Sequence, residues 1–207
     1  MSVFARLAGL LLIGLARLLT GAYANWVGCR PDPKQRLYFA NHSSHLDFVL
    51  LWGLLPPSIR YRTRPVAGAD YWNATPVRRF LIHRVFRGVL VKRVRSELGQ
   101  NPLAPLQAAI DAGDSLIFFP EGTRALADEM LPFKSGLYHL ALANPALELV
   151  PVRMENLSRV MPKGELLPVP LVCILTFGTP VVLGADEVKA DFLGRARQAI
   201  LDMQPRH

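Results

Sequence analysis

The sequence predicts an α/β fold: a single layered domain, a mostly parallel sheet covered by helices, with an N-terminal amphipathic membrane-interface helix in front of it. Short apolar, β-rich runs alternate from Arg36 onward with longer stretches of helical apolar spacing, and turn residues separate them. At 207 residues the chain suits one domain, large enough to bury a core without disulfides or metals. Hydrophobic residues make up 51%, charged residues 19%, and mean hydropathy is +0.22, which excludes a disordered chain and leans toward lipid contact. Cys29 and Cys173 are the only cysteines and form no C-x-x-C pair, so disulfide-scaffold and zinc-ribbon classes fall away.

The N-terminal helix rests on Leu7–Ala16, ten uncharged residues between Arg6 and Arg17. Ten residues are too few to span a hydrocarbon core, which takes about 20, and extending the run brings in Arg17 at about 3 kcal/mol. Arg6 and Arg17 are eleven residues apart, within about 20° of whole helical turns, so they share a face and leave the leucines another. This pattern suits a helix lying in the membrane interface. A core-packing helix and a signal peptide cut near Ala22-Tyr23-Ala24 are the alternatives. The boundary is drawn after residue 28, giving a membrane-associating segment over 1–28 and a domain over 29–207.

Within the domain, strands are expected at Leu37–Ala40, Val89–Val91, Leu116–Phe119, Leu149–Val152 and Val172–Phe177. Helices are expected at Leu46–Leu55, Pro76–Phe86, Pro102–Ala112, Ser135–Ala143 and Glu187–Met203. Charge is regional. Between Arg60 and Arg95 stand ten basic residues and one acid, Asp70, a net of +9, whereas the remainder, fourteen basic against fifteen acidic, sums to −1. Such a patch suits phosphate, anionic lipid or nucleic acid, and Tyr71 and Trp72 inside it suit a lipid interface.

Two constellations carry chemistry, each at the end of a predicted strand. In Asn41-His42-Ser43-Ser44-His45-Leu46-Asp47, Ser44 and Asp47 have the spacing of a capping box. His42 and Asp47 would stand about 140° apart within one helix, so they meet only if His42 lies in the preceding loop. Asp47 could then hold the Nδ1 proton and leave Nε2 as a general base. In Phe118-Phe119-Pro120-Glu121-Gly122-Thr123-Arg124, Pro120 ends the strand, Gly122 permits close approach, and Thr123 and Arg124 offer donors to a phosphate. Glu121 could hold Arg124 or a sugar-like hydroxyl. Lys134, in Phe133-Lys134-Ser135-Gly136, adds a cation at a helix start. No Gly-x-Ser-x-Gly, P-loop or Gly-x-Gly-x-x-Gly is present; a metal site could use His42 and His45 but would need a further ligand, and His83, His139 and His207 come with no ligand spacing.

Together these motifs resemble the glycerolipid acyltransferases of the PlsC type, the 1-acylglycerol-3-phosphate acyltransferase family. Its Asn-His-x4-Asp block is Asn41 to Asp47, its Gly-x4-Arg block Gly88 to Arg93, and its Phe-Pro-Glu-Gly-Thr-Arg block Phe119 to Arg124, followed by Phe133 to Gly136. The apolar-Pro-apolar strand is Val150-Pro151-Val152, and Ala125 replaces a common serine.

The resemblance implies that His42 deprotonates the hydroxyl of a lysophospholipid, which attacks a thioester carbonyl directly, while Asp47 orients the imidazole. It implies that Arg93, Gly122, Thr123 and Arg124 hold the acceptor phosphate, that Glu121 positions the glycerol, and that Pro151 shapes an acyl or donor channel. Lys134 joins this substrate-binding set. No cofactor or metal is implied; acyl-CoA or acyl carrier protein enters as donor substrate. The expected partners are these substrates and a membrane surface with anionic lipids, at the cytoplasmic face of an inner membrane, and no nucleic acid. A remodelling acyltransferase for another head group and a nonenzymatic membrane binder are the alternative readings.

Overall fold

The structure, a computed structural model, describes residues 2–44, 47–91, 101–124, 129–156 and 172–203. Its elements in order are α1 (Val3–Thr20), β1 (Tyr23–Trp26), β2 (Arg36–Ala40), α2 (Asp47–Leu54), α3 (Pro57–Arg60), β3 (Thr63–Gly68), α4 (Ala69–Trp72) and α5 (Pro76–Phe80). A π-helical turn (Leu81–Val85), β4 (Val89–Val91), α6 (Ala104–Asp111), β5 (Ser115–Phe118), α7 (Gly136–Ala143), β6 (Glu148–Glu155), β7 (Ile174–Phe177) and α8 (Lys189–Leu201) follow. The seven strands run β1-β7-β6-β2-β5-β3-β4, and every neighbouring pair is parallel except β6 with β7. The mostly parallel α/β sheet is thus as the alternating pattern predicts.

All five residues of β2 are buried, as a central strand covered on both faces requires. Tyr38 and Ala40 point into one core layer with Ile13, Leu51, Trp52 and Phe86. Leu37 and Phe39 point into the other, with Leu106, Leu137, Leu140 and Phe192. Hence α1, α2 and the π-helical turn cover one face, and α6, α7 and α8 the other. The chain leaves β2 toward β3 and leaves β5 toward β6, in opposite directions across the sheet. This divergence opens a crevice beyond the C-terminal ends of β2 and β5, the usual ligand position in such sheets.

Two strands differ from expectation. Residues 1–28 are not wholly a helical segment, because β1 pairs with β7 and Trp26 stacks on Phe177 at 3.8 Å. Only that long-range partner makes four residues with no alternating pattern a strand. β3 carries Pro65, which argues against a strand from sequence. It is tolerated because Thr63–Pro65 pair with β5 and Val66–Gly68 with β4, so no residue in the register is bonded on both sides.

The basic segment is also not one solvated face. Arg60 is buried and donates from Nε to the carbonyls of Trp52 and Leu55 and from Nη2 to those of Gly53 and Leu55, closing the C-terminal end of α2. Burial lowers its pKa from the usual arginine value. Arg64 and Arg87 both reach Asp114, at 3.1 and 3.8 Å. Lys92, Arg93 and Arg95 lie outside the described residues.

Helix α1 is longer than the predicted run. Ser2 caps it and Gly21 ends it in a left-handed conformation. Ala5, Gly9, Ile13, Ala16 and Thr20 form its buried stripe, whereas Val3, Phe4, Leu7, Leu10, Leu11, Leu15 and Leu18 are exposed. Small residues face the domain because contact is close: a Cβ on Gly9 would stand 3.1 Å from Val85, and one on Gly53 would stand 3.0 Å from Ile13. By length and composition this helix could also cross a membrane.

Replacing Arg60 with Met keeps the stem but strands three buried carbonyls. We expect a loss of about 3 kcal/mol in unfolding free energy, read from denaturant titration.

Candidate active site

His42 leaves the sheet two residues after β2, and the loop that carries it is held from both sides. Asn41 continues the strand pairing with its side chain: its Nδ2 donates to the Met154 carbonyl at 2.9 Å, and its Oδ1 accepts the Met154 N–H at 2.8 Å. On the other side the His42 N–H donates to Glu121 Oε1 at 2.7 Å. The ring stacks on Phe119, with centroids 4.3 Å apart.

Asp47 opens α2 and is wholly buried. Its Oδ2 lies 2.8 Å from His42 Nδ1 and accepts the N–H groups of Ser43 and Ser44 at 2.7 and 2.9 Å. The bond to Ser44 is the returning half of the capping box; the same oxygen orients the imidazole. With Asp47 ionised, Nδ1 carries the ring proton and Nε2 is left to accept one. The helix start also favours negative charge at this position. Both uses expected of Asp47, cap and orienting group, are therefore met by one atom.

A cavity of about 410 Å³ opens beside His42, within the range of small-ligand sites. Thr123, Arg124 and Lys134 line it together with Gly122. Gly122 adopts φ +68°, and its missing side chain leaves room for Lys134, whose Nζ would stand 2.9 Å from a Cβ there. The Lys134 N–H donates to the Pro120 carbonyl at 2.8 Å, which binds the two loops together. The remaining wall is apolar and aromatic: Phe48 from α2, Val66 from β3, Tyr71 and Trp72 from α4, Val91 from β4 and Phe118 from β5. An imidazole base, cationic donors and a greasy wall in one cavity suit a reaction on an anionic amphiphile.

Two residues sit differently from what the resemblance implies. Glu121 is 1% exposed and its oxygens are taken by backbone, Oε1 by His42 N–H and Oε2 by Leu131 N–H at 2.9 Å. Burial pushes its carboxyl above the ordinary glutamate range, and the two N–H donors offset this in part. Glu121 does not line the cavity. Pro151 lies within β6, opposite Phe39 of β2, and is likewise absent from the cavity wall. Its missing N–H costs nothing toward β7, whose pairing begins at Val152. Arg93 lies outside the described residues.

The aromatic wall was not legible as a site, because Tyr71 and Trp72 read only as interfacial aromatics. Likewise, nothing in the sequence links Leu131 to Glu121 or Met154 to Asn41.

Fold and site thus define an α/β domain in which a carboxylate-oriented histidine faces a cavity bearing cations. Residues 30–155 match the sequence profile of the acyltransferase family, and the chain belongs to that family. It is 29% identical over 184 residues to a 1-acyl-sn-glycerol-3-phosphate acyltransferase of Chlamydomonas reinhardtii, covering 84% of this chain and 50% of that protein. It is 27% identical over 128 residues to the protein of the same name from Salmonella typhimurium, covering 59% of this chain and 47% of the other. The chain spans about half the length of these curated relatives. The crystal structure of the 1-acyl-sn-glycerophosphate (LPA) acyltransferase PlsC from Thermotoga maritima shares the fold, with a TM-score of 0.75 at 20% identity over 97% of this chain and 80% of that one.

Replacing Gly122 with Ala forces a side chain into the left-handed region beside Lys134. A loss of about 1 to 2 kcal/mol is expected, seen as a lower melting temperature.

Proposed function

We propose that this chain moves a fatty acyl group from a thioester donor, acyl-CoA or acyl carrier protein, to the free hydroxyl of 1-acylglycerol 3-phosphate, giving phosphatidic acid. The observation that carries this reading is the His42–Asp47 pair at a cavity that also holds Thr123, Arg124 and Lys134. The names of the relatives support the same acceptor.

In this mechanism the acceptor phosphate rests on Arg124, Lys134 and the Thr123 hydroxyl, joined by Arg93, and its apolar chain lies along the aromatic wall. A fixed phosphate brings the hydroxyl to His42 Nε2. Nε2 takes the hydroxyl proton as the oxygen attacks the thioester carbonyl, and Asp47 stabilises the imidazolium. Collapse of the tetrahedral species forms the C–O ester bond and breaks the C–S bond. The imidazolium returns its proton to the leaving thiolate, so the base is regenerated.

Glu121 acts as a positioning residue in this scheme. It fixes the His42 backbone and the Leu131 loop at once, and so sets the distance between base and phosphate donors.

The outward leucines of α1 support attachment to a membrane. Its small-residue face is spent on the domain, while Arg6 and Arg17 are exposed. We assign the enzyme to the cytoplasmic side of an inner membrane, where thioester donors are available.

Acyl transfer from palmitoyl-CoA and palmitoyl-acyl carrier protein to 1-acylglycerol 3-phosphate in mixed micelles tests the reading. His42→Ala should lower turnover by at least about 10³-fold with acceptor binding retained, and Asp47→Asn by a comparable factor. A folded wild-type protein inactive with both donors would refute phosphatidic acid synthesis.

For Glu121→Gln, kcat should fall about ten- to a hundredfold with the acceptor KM unchanged, and amide hydrogen exchange at residues 41–44 should accelerate. A raised KM at constant kcat would instead make Glu121 a substrate ligand. The linked stability has a definite sign. A carboxyl raised by burial binds its proton more tightly when folded, so wild-type stability falls as pH rises through its raised range, and Glu121→Gln removes that slope.

A further inference from the structure

We infer that α5 is a second membrane-contacting element, seating the mouth of the catalytic cavity on an anionic lipid surface. The inference rests on the membrane reading of α1 and extends it to a part of the fold far from α1 in sequence.

Four observations converge on α5. Val77 is 68% exposed, one of seven large apolar side chains outside α1 left to solvent among the described residues. Phe80 packs against Phe4, with ring centroids 5.7 Å apart, and Phe4 is itself 69% exposed on the outward face of α1. The apolar surface of α1 therefore continues onto α5. From Tyr71 to Val91 the chain contains no acidic residue, and Arg79 and Arg84 are exposed within it. Apolar groups bordered by uncompensated arginines match an anionic bilayer, where each basic residue at the surface contributes about 1 kcal/mol.

The last observation ties this surface to the site. The Arg78 guanidinium lies 4.0 Å from the centre of the Tyr71 ring, and Tyr71 and Trp72 line the cavity. Helix α5 thus touches both surfaces, the cavity wall through Arg78 on Tyr71 and the outward face of α1 through Phe80 on Phe4. A lysolipid in the bilayer would meet the aromatic wall without crossing water. A protein partner would have no need of continuity with a leucine face 18 residues long, and this is why lipid is the occupant chosen.

The test is co-sedimentation of the full chain with phosphatidylcholine vesicles, with and without about one-third phosphatidylglycerol. It compares wild type, Val77→Asp, the double variant Arg79→Glu/Arg84→Glu, and Leu11→Asp on α1. The Val77 variant on α5 and the double variant on α5 and the π-helical turn that continues it should each lose about tenfold in partitioning to the anionic vesicles, the double variant mainly through its lipid-charge dependence. Their turnover of a short-chain, water-soluble acceptor should match wild type, because these residues do not line the cavity. Wild-type binding by both the Val77 variant and the double variant, alongside weakened binding by Leu11→Asp, would overturn the α5 inference and leave the α1 reading standing. Failure of the wild type itself to bind either vesicle would overturn both. The double variant, confined to exposed arginines, keeps the test decisive if Val77→Asp proves unstable.

Discussion

The Oδ2 atom of Asp47 collects His42 Nδ1 and the N–H groups of Ser43 and Ser44 in a space closed to solvent. A buried carboxylate is costly unless donors surround it, so this oxygen and its three partners form or fail together. The start of α2, the path of the loop after β2 and the orientation of the imidazole are therefore one structural event. Structural and chemical accounts of this motif do not compete. The cap that starts the helix also selects the ring nitrogen left for chemistry.

The sheet supplies the second half of the site by adjacency. β2 and β5 are hydrogen-bonded neighbours that run parallel, so the loops at their C-terminal ends must lie side by side. Their chains then leave on opposite sides, and the gap between them is lined from 42, 118–120, 122–124 and 134. Glu121 stitches the two loops through backbone N–H groups. Its charge is buried at some cost, which geometry rather than stability explains.

Arginines divide by what surrounds them. Arg60 spends its guanidinium on helix carbonyls and Arg64 and Arg87 on Asp114, which removes three cations from the patch that charge counting suggests. Of those left at the surface, Arg79 is next in the chain to Phe80, whose ring meets Phe4 of α1. A formal charge located along a sequence becomes a functional surface only after the fold has taken its share.

The α/β class, most helices and strands to within a few residues, the His42–Asp47 pair and the loop bearing Thr123 and Arg124 can be read from the chain alone. These are local properties: apolar periodicity, a capping box and turn residues act over a few positions, so they are written in consecutive residues. That Tyr23–Trp26 and Thr63–Gly68 are strands follows from the fold and not from local pattern, because their pairing partners stand far along the chain. The fold likewise turned Glu121 away from the cavity and toward two backbone N–H groups, buried Pro151 in β6, and set Tyr71 and Trp72 into the cavity wall. The reason is common to all of these: each depends on contacts between residues separated by tens of positions, and such contacts exist only once the sheet has closed.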